Sequence, residues 1–429
     1  MTRTLYLHVG SPKSGTTYLQ RILDANRDVL AAAGVLVVGS AQVDRVQAAL
    51  QVREDPRWEK LPEARRDMWG TLVAEIRAWQ GDSAILSYEL FCAASAEQSK
   101  RALADLDGID VHVVVTARDL AGAVPSAWQE QLKFGTTKPL EEWSPAGRNR
   151  EWGWRTLDPS SVAKRWGASL PADHVHVVTV PAQPTTDSEL WERFAAACGV
   201  TDVAVDLAVP RVNESLGVVQ AELLRRVNGH LRAPLEGSRE RAVWLRDTLA
   251  HGVLAAGCSS AEPIGLTDAQ LTEATQRAES AITAIEKAGY AVHGDLADLR
   301  PTQRDARMPG EVSEADLLLA AQEAIVELLV LVRERTREGR GRARATATPG
   351  ARGLGRRIVE RATAPYVGRR ERDLRARIEA LEAEVARERA LHLRVASLQN
   401  VVAELLLPAD LRDNELTEKA LRTYRRSIR

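Results

Sequence analysis

Cysteine is scarce in this chain, and the little present argues against a disulfide scaffold: Cys92, Cys198 and Cys258 are far apart and lie in apolar surroundings. Buried, inert thiols in a reducing cytosol are the expectation. Lysine is also scarce, with 8 residues against 50 arginines, so a lysine inside a tight turn stands out. No uninterrupted apolar run approaches the roughly 20 residues needed to span a bilayer. The run from Leu317 to Val332 is broken by Gln322, Glu323 and Glu327 and reads as a packed helix. The first residues read as a strand and not as a signal peptide, so a cytoplasmic protein is expected. The formal net charge is only -1, and no nucleic-acid partner is expected.

That small net charge hides an asymmetry. Residues 333–429 carry 24 Arg/Lys against 14 Asp/Glu, which leaves about -11 on the first 332. At 429 residues the chain is long enough for two or three units. Strand-like runs recur at Leu5–Val9, Val35–Val38, Ala84–Tyr88, Val111–Thr116 and Val175–Val180, with helical patterns between them. This alternation predicts an α/β domain with a mainly parallel central sheet flanked by helices. Its bounds are expected at 1–300, including a helical cap from about Ser215 to Gly289, followed by a packed helix at 301–334. Residues 335–372, with 12 arginines and 3 acids, read as a basic linker that could touch an anionic membrane surface. At 373–407, Leu374, Ile378, Leu381 and Val385 begin a heptad seam, read as a coiled coil that makes a homo-oligomer, before a tail at 408–429.

The strand Leu5–Val9 leads through Gly10-Ser11-Pro12-Lys13-Ser14-Gly15-Thr16-Thr17 into the helical pattern Tyr18 to Leu30. Backbone N–H groups and the positive end of a helix dipole would converge in such a turn, as anion binding requires. A nucleoside triphosphatase loop ends G-K-[ST]. Here Thr16 stands in the lysine position and the lysine lies three residues upstream. Farther on, Val111–Thr116 ends in Ala117-Arg118-Asp119, with Ser126 eight residues after Arg118 on a helix.

The segment P-K-S-G-T-T after a strand resembles the 5′-phosphosulfate loop of sulfotransferases that use 3′-phosphoadenosine 5′-phosphosulfate (PAPS). The resemblance covers roughly residues 4–230. It implies that Lys13, Ser14, Gly15, Thr16 and Thr17 hold the phosphosulfate, and that Arg118 and Ser126 hold the 3′-phosphate through a planar guanidinium fork and a hydroxyl. A third segment, Val212-Asn213-Glu214-Ser215-Leu216-Gly217, followed by Arg225-Arg226-Val227-Asn228, resembles bacterial, especially actinobacterial, members. In those terms Asn213 and Ser215 close over the nucleotide, although Ser215 also reads as a plain helix N-cap.

Sulfuryl transfer to a small-molecule or glycan acceptor needs a base for the acceptor proton and a cation for the departing oxygen. Lys13 suits the second task. Glu89, closing the strand-end sequence Ile85–Glu89, suits the first if desolvation raises its pKa, with Asp44 in reserve. Trp128, Trp152, Trp154 and Trp166 offer stacking or packing surface. The R-K-G loop of the cytosolic family is not visible, which leaves the adenine contacts unassigned. His174 and His176 share a strand face, but without a third ligand at sensible spacing no metal is expected, and the resemblance implies none. The competing readings are a phosphate-loop kinase or nucleoside triphosphatase, and a non-catalytic assembly protein built around its coiled coil.

Overall fold

A computed structural model describes residues 3–345, apart from 147–150, 210–214, 234, 236, 256–261 and 302–305. Six strands, β1 (Thr4–Gly10), β2 (Val35–Val37), β3 (Ser83–Ser87), β4 (Asp110–Ala117), β5 (Val175–Thr179) and β6 (Ala291–His293), form one sheet in the order β2-β3-β1-β4-β5-β6. Every neighbouring pair is parallel. The expected α/β architecture is therefore present. Five strands fall within a residue or two of their expected positions, and β6, only three residues long, was not anticipated.

Alternation along the strands buries both faces of the sheet. Leu5, Leu7, Val9, Leu86, Val113 and Val115 point to one side, where they pack with Trp69, Ile76 and Trp166 from covering helices. Ile85, Val114 and Val178 point to the other, against Leu19, Ile22, Leu23 and Phe194. Near-continuous Val/Ile/Leu runs are what a strand covered on both faces needs. Cys92 and Cys198 are buried in these layers, as expected, and burial raises both thiols. Cys258 lies outside the described residues.

A further core surrounds the helix Leu120–Leu132, where Trp128, Trp154, Leu224, Leu254 and Ala278 meet. The helical region after Ser215 supplies much of it, and its longest member in this region, Asp268–Ala288, has clear local causes. Thr267 accepts the Gln270 N–H at its start, and Gly289 leaves at φ 69 at its end. This helix also covers Ala117 and Val177 of the sheet through Ala281, Ile282 and Ile285.

The described residues up to Gly339 form one compact unit. The long helix Glu314–Ala345 runs past residue 335 into the segment read as a linker. The rest of that segment, the heptad seam and the tail lie outside the described residues. The helix expected to be packed over Leu317–Val332 is packed along one seam only. Leu317, Ala320 and Ala324 are buried, whereas Leu318, Leu319, Ile325, Val326, Leu329 and Val330 are exposed. The spacing of the buried three makes a seam only one residue wide. Among the described residues, no helix is long and apolar enough to cross a membrane.

Candidate active site

Ligands on a parallel sheet bind beyond the carboxyl ends of its strands. A cleft of about 480 Å³ opens at that rim, lined by Lys13, Gly15, Thr16, Thr17, Arg21, Glu89, Arg118, Ser126, Glu130, Trp152 and Ser215 among others. The Gly10–Thr17 turn forms its floor at the end of β1. Gly15 sits at φ 81 as the N-cap of the helix Thr16–Ala25, with no side chain capping the helix and no acid in its first turn. A Cβ on Gly15 would come within 2.5 Å of Leu190 Cδ2, so only glycine fits there without displacement. The helix following β4 is arranged differently. Its N-terminus is closed by Asp119, which accepts the N–H groups of Ala121 and Gly122 at 2.9 and 3.0 Å. Of these two neighbouring helix starts, only the one beside Lys13 remains uncapped for an anion.

Lys13 itself has φ 62, in the left-handed region. Its Nζ donates to Glu130 Oε1 at 2.7 Å, and Lys133 Nζ donates to the same oxygen at 2.8 Å. Burial would raise the Glu130 carboxyl, but Lys13 and Lys133 overcome that and hold it at about 2. Arg118 follows β4, and its Nη1 donates to the Lys13 carbonyl at 2.9 Å, tying the two segments together. Gly122 makes room for this guanidinium, because a Cβ there would lie 2.6 Å from Arg118 Nη2. Ser126 stands one turn farther along the same helix, its hydroxyl donating to the Gly122 carbonyl at 3.0 Å.

Glu89 begins the short turn after β3 and accepts from Gln20 Nε2 at 2.8 Å. Desolvation raises its carboxyl above the ordinary range, outweighing the Gln20 hydrogen bond and the Lys13 charge. Two cleft carboxylates are thus driven in opposite directions: Glu130 is held ionised, and Glu89 is biased toward its proton.

Several expectations need correction. The Ser14 side chain does not face the cleft. It is fully buried, with its hydroxyl on the Ser11 carbonyl and 2.6 Å from Thr116 Oγ1. Only its backbone can contribute to the floor. Asp44 is not a cleft residue, since its carboxylate caps the helix Gln42–Val52 by accepting the Ala41 N–H at 3.0 Å. Ser215 lines the cleft and is not a helix cap, because the helix that follows starts at Val218 with Gly217 before it. Asn213 lies outside the described residues. Of the four tryptophans, Trp152 reaches the cleft, while Trp128, Trp154 and Trp166 are core residues.

Two residues escaped the sequence reading. Glu130 lies four positions after Ser126 on the same helix, and Arg21 four positions after Thr17, so each shares a face with a residue already singled out. Beneath the floor, His8 is fully buried, with Nδ1 2.7 Å from Ser87 Oγ and Nε2 3.2 Å from Thr116 Oγ1. Burial pushes its imidazole down to about 3, so it is neutral.

Residues 374–428 match DUF6752, a domain of unknown function. No curated protein matches the chain. Among solved structures, the chain is similar to a sulfotransferase from Alicyclobacillus acidocaldarius at 15% identity, over 49% of this chain and 87% of that one, with a TM-score of 0.34. A likeness that remote carries no weight for fold or chemistry, which rest on the geometry above.

Proposed function

We propose that the cleft binds PAPS and that the protein transfers its sulfuryl group directly to a hydroxyl or amine acceptor. The observation that carries this reading is the convergence of Lys13 and Arg118, 105 positions apart, on one cleft whose floor is an uncapped helix start. Ser126, Thr16, Thr17 and Arg21 add donors around it. Donors from two segments of the chain suit a ligand with a 5′-phosphosulfate and a 3′-phosphate. A triphosphatase or kinase is the weaker reading, because Thr16 stands where the G-K-[ST] loop requires its lysine.

In the proposed reaction the acceptor oxygen or nitrogen forms a bond to sulfur while the bond from sulfur to the bridging oxygen breaks. Adenosine 3′,5′-bisphosphate leaves with that electron pair. Glu89, with its raised proton affinity, takes the acceptor proton. Lys13 leaves Glu130 for the bridging oxygen, assisted by the turn amides. Trp152 offers a ring face for adenine or for a small-molecule or glycan acceptor. Residues 373–407 are the proposed route to a homo-oligomer, and the basic stretch before them a weak contact with anionic lipid.

Isothermal titration of the full-length protein with adenosine 3′,5′-bisphosphate, ADP and GTP tests the reading. The bisphosphate is expected to bind at least about tenfold tighter than either of the others, the signature of a dedicated 3′-phosphate contact. Equal affinities, or a preference for GTP, would sink it. Radiolabelled PAPS incubated with candidate acceptors then reports transfer, and binding without transfer would favour the assembly protein.

A further inference from the structure

The geometry points to a divalent metal site of the zinc class at the opposite rim of the sheet, with Asp110, His112 and His174 as its protein ligands. Two short patterns meet here: Asp110-Val111-His112 opens β4, and His174-Val175-His176 leads from a short turn into β5, its parallel neighbour. Residues two apart on a strand share a face. The β4–β5 register pairs Val113 with Val175, so His112 and His174, one residue upstream on each, stand side by side. His174 and His176 alone lack a third ligand. The adjacent strand supplies it.

The distances suit one small ion. Asp110 Oδ2 lies 3.4 Å from His112 Nε2, and Asp110 Oδ1 lies 3.3 Å from His174 Nδ1. The ligand atoms of all three lie within 4.8 Å of one another. Tetrahedral bonds of 2.0–2.2 Å would separate ligand atoms by about 3.3–3.6 Å. Two imidazoles and one carboxylate, with water in the fourth position, favour zinc over magnesium or calcium, which prefer oxygen alone. Asp110 is half exposed at the edge, which leaves an ion a way in.

The residues behind the ligands fit as well. His112 Nδ1 is 2.8 Å from His176 Nε2, and His176 Nδ1 is 3.0 Å from His293 Nε2. An ion on His112 Nε2 places that ring's proton on Nδ1, from which it donates to His176. His176 then donates from Nδ1 to His293. One set of tautomers satisfies the whole chain, and such support from behind orients and strengthens metal-bound histidines.

Closure on the ion requires one movement. The His112 and His174 rings stack at 4.2 Å and 9°, so their in-plane lone pairs run parallel. His174, in the short turn that leads into β5, is the more exposed of the two and is the ring that turns, releasing its 3.2 Å contact with the Val111 carbonyl.

Full-length protein treated with chelator and dialysed, then titrated with zinc against a chromophoric zinc indicator, tests the site. One equivalent should bind and raise the melting temperature, while magnesium and calcium leave both readouts unchanged. His174→Ala and Asp110→Asn should each weaken uptake by at least tenfold, and His176→Gln by about 10- to 100-fold. His230→Ala is the surface-histidine control and should change nothing. His174 is part-exposed and Asp110→Asn keeps its shape, so circular dichroism should show both variants folded; should one unfold, the other decides. Zinc uptake unchanged in the folded variants, or an equal response to magnesium, overturns the site and leaves the histidines as partners for one another only.

Discussion

Lys13 Nζ lies 2.7 Å from Glu130 Oε1, so the cation assigned to the departing group is already engaged before any anion arrives. Lys133, with its side chain almost fully buried, shares the same carboxylate. Glu130→Gln should therefore have two opposed effects. Adenosine 3′,5′-bisphosphate should bind several-fold tighter, since Lys13 no longer has an ionised partner to leave, a difference of about 1 kcal/mol. The folded state should be less stable by roughly 3 kcal/mol, because Lys133 loses a charge partner in the interior. Calorimetric titration and chemical denaturation read the two effects separately. Lys13→Ala should instead leave a folded protein with turnover down by about 100- to 1000-fold.

Arg118→Ala should weaken adenosine 3′,5′-bisphosphate by roughly 2 kcal/mol or more while hardly changing the affinity for adenosine 5′-phosphosulfate. The comparison matters because Arg118 also ties down the Lys13 carbonyl. A general loosening of the floor would weaken both ligands equally and would place the 3′-phosphate elsewhere.

Glu89→Gln should reduce turnover by about 100- to 10,000-fold with little change in nucleotide affinity. A base must be deprotonated to act, and desolvation raises this carboxyl. The acidic limb of the rate profile should therefore lie above the ordinary carboxylate range, with rate falling as pH drops through it, and Glu89→Gln should abolish that limb. Asp44→Asn should leave turnover intact, since Asp44 caps a helix away from the cleft.

Five strands and the cleft rim were legible in the sequence because parallel strands buried on both faces require unbroken apolar runs, and Leu5–Val9 and Val111–Thr116 provide them. Side-chain direction at strand ends was less legible. Ser14 turns toward Thr116, a contact across 102 positions that no local pattern announces. The Asp110, His112 and His174 cluster was hidden for a related reason, since it depends on the register of β4 against β5. The exposed apolar side of Glu314–Ala345 was misread because apolar content predicts burial somewhere, whereas the width of the seam depends on what the helix meets.

His8 gives acid sensitivity a definite sign. Its imidazole is held at about 3 against an ordinary 6.5, so between those values the unfolded chain binds the additional proton. Stability should fall as pH drops from 6.5 toward 3, by up to about 1.4 kcal/mol per pH unit from this group. His8 faces Ser87, Thr116 and Phe194, none of them charged. Denaturation at a series of pH values should show a shallower slope in His8→Gln, and an unchanged slope would assign the acid sensitivity to other groups.

A chain ending at Ala345 should form a smaller assembly than the full-length protein by light scattering, even after allowing for the deleted mass, if residues 373–407 join the copies. It should still bind adenosine 3′,5′-bisphosphate. An unchanged number of copies would mean that the tail does not set the assembly and would direct attention to the exposed Leu318, Leu319, Ile325 and Val326.

β4 covers roughly 23 Å from Asp110 to Ala117. Arg118 follows one end, and Asp110 and His112 mark the other. Side-chain changes at either end leave in place the backbone ladders that hold the strand between β1 and β5. Descendants of this chain can therefore lose or rework one rim while inheriting the other whole, as a beam can be refitted at one end without being taken down.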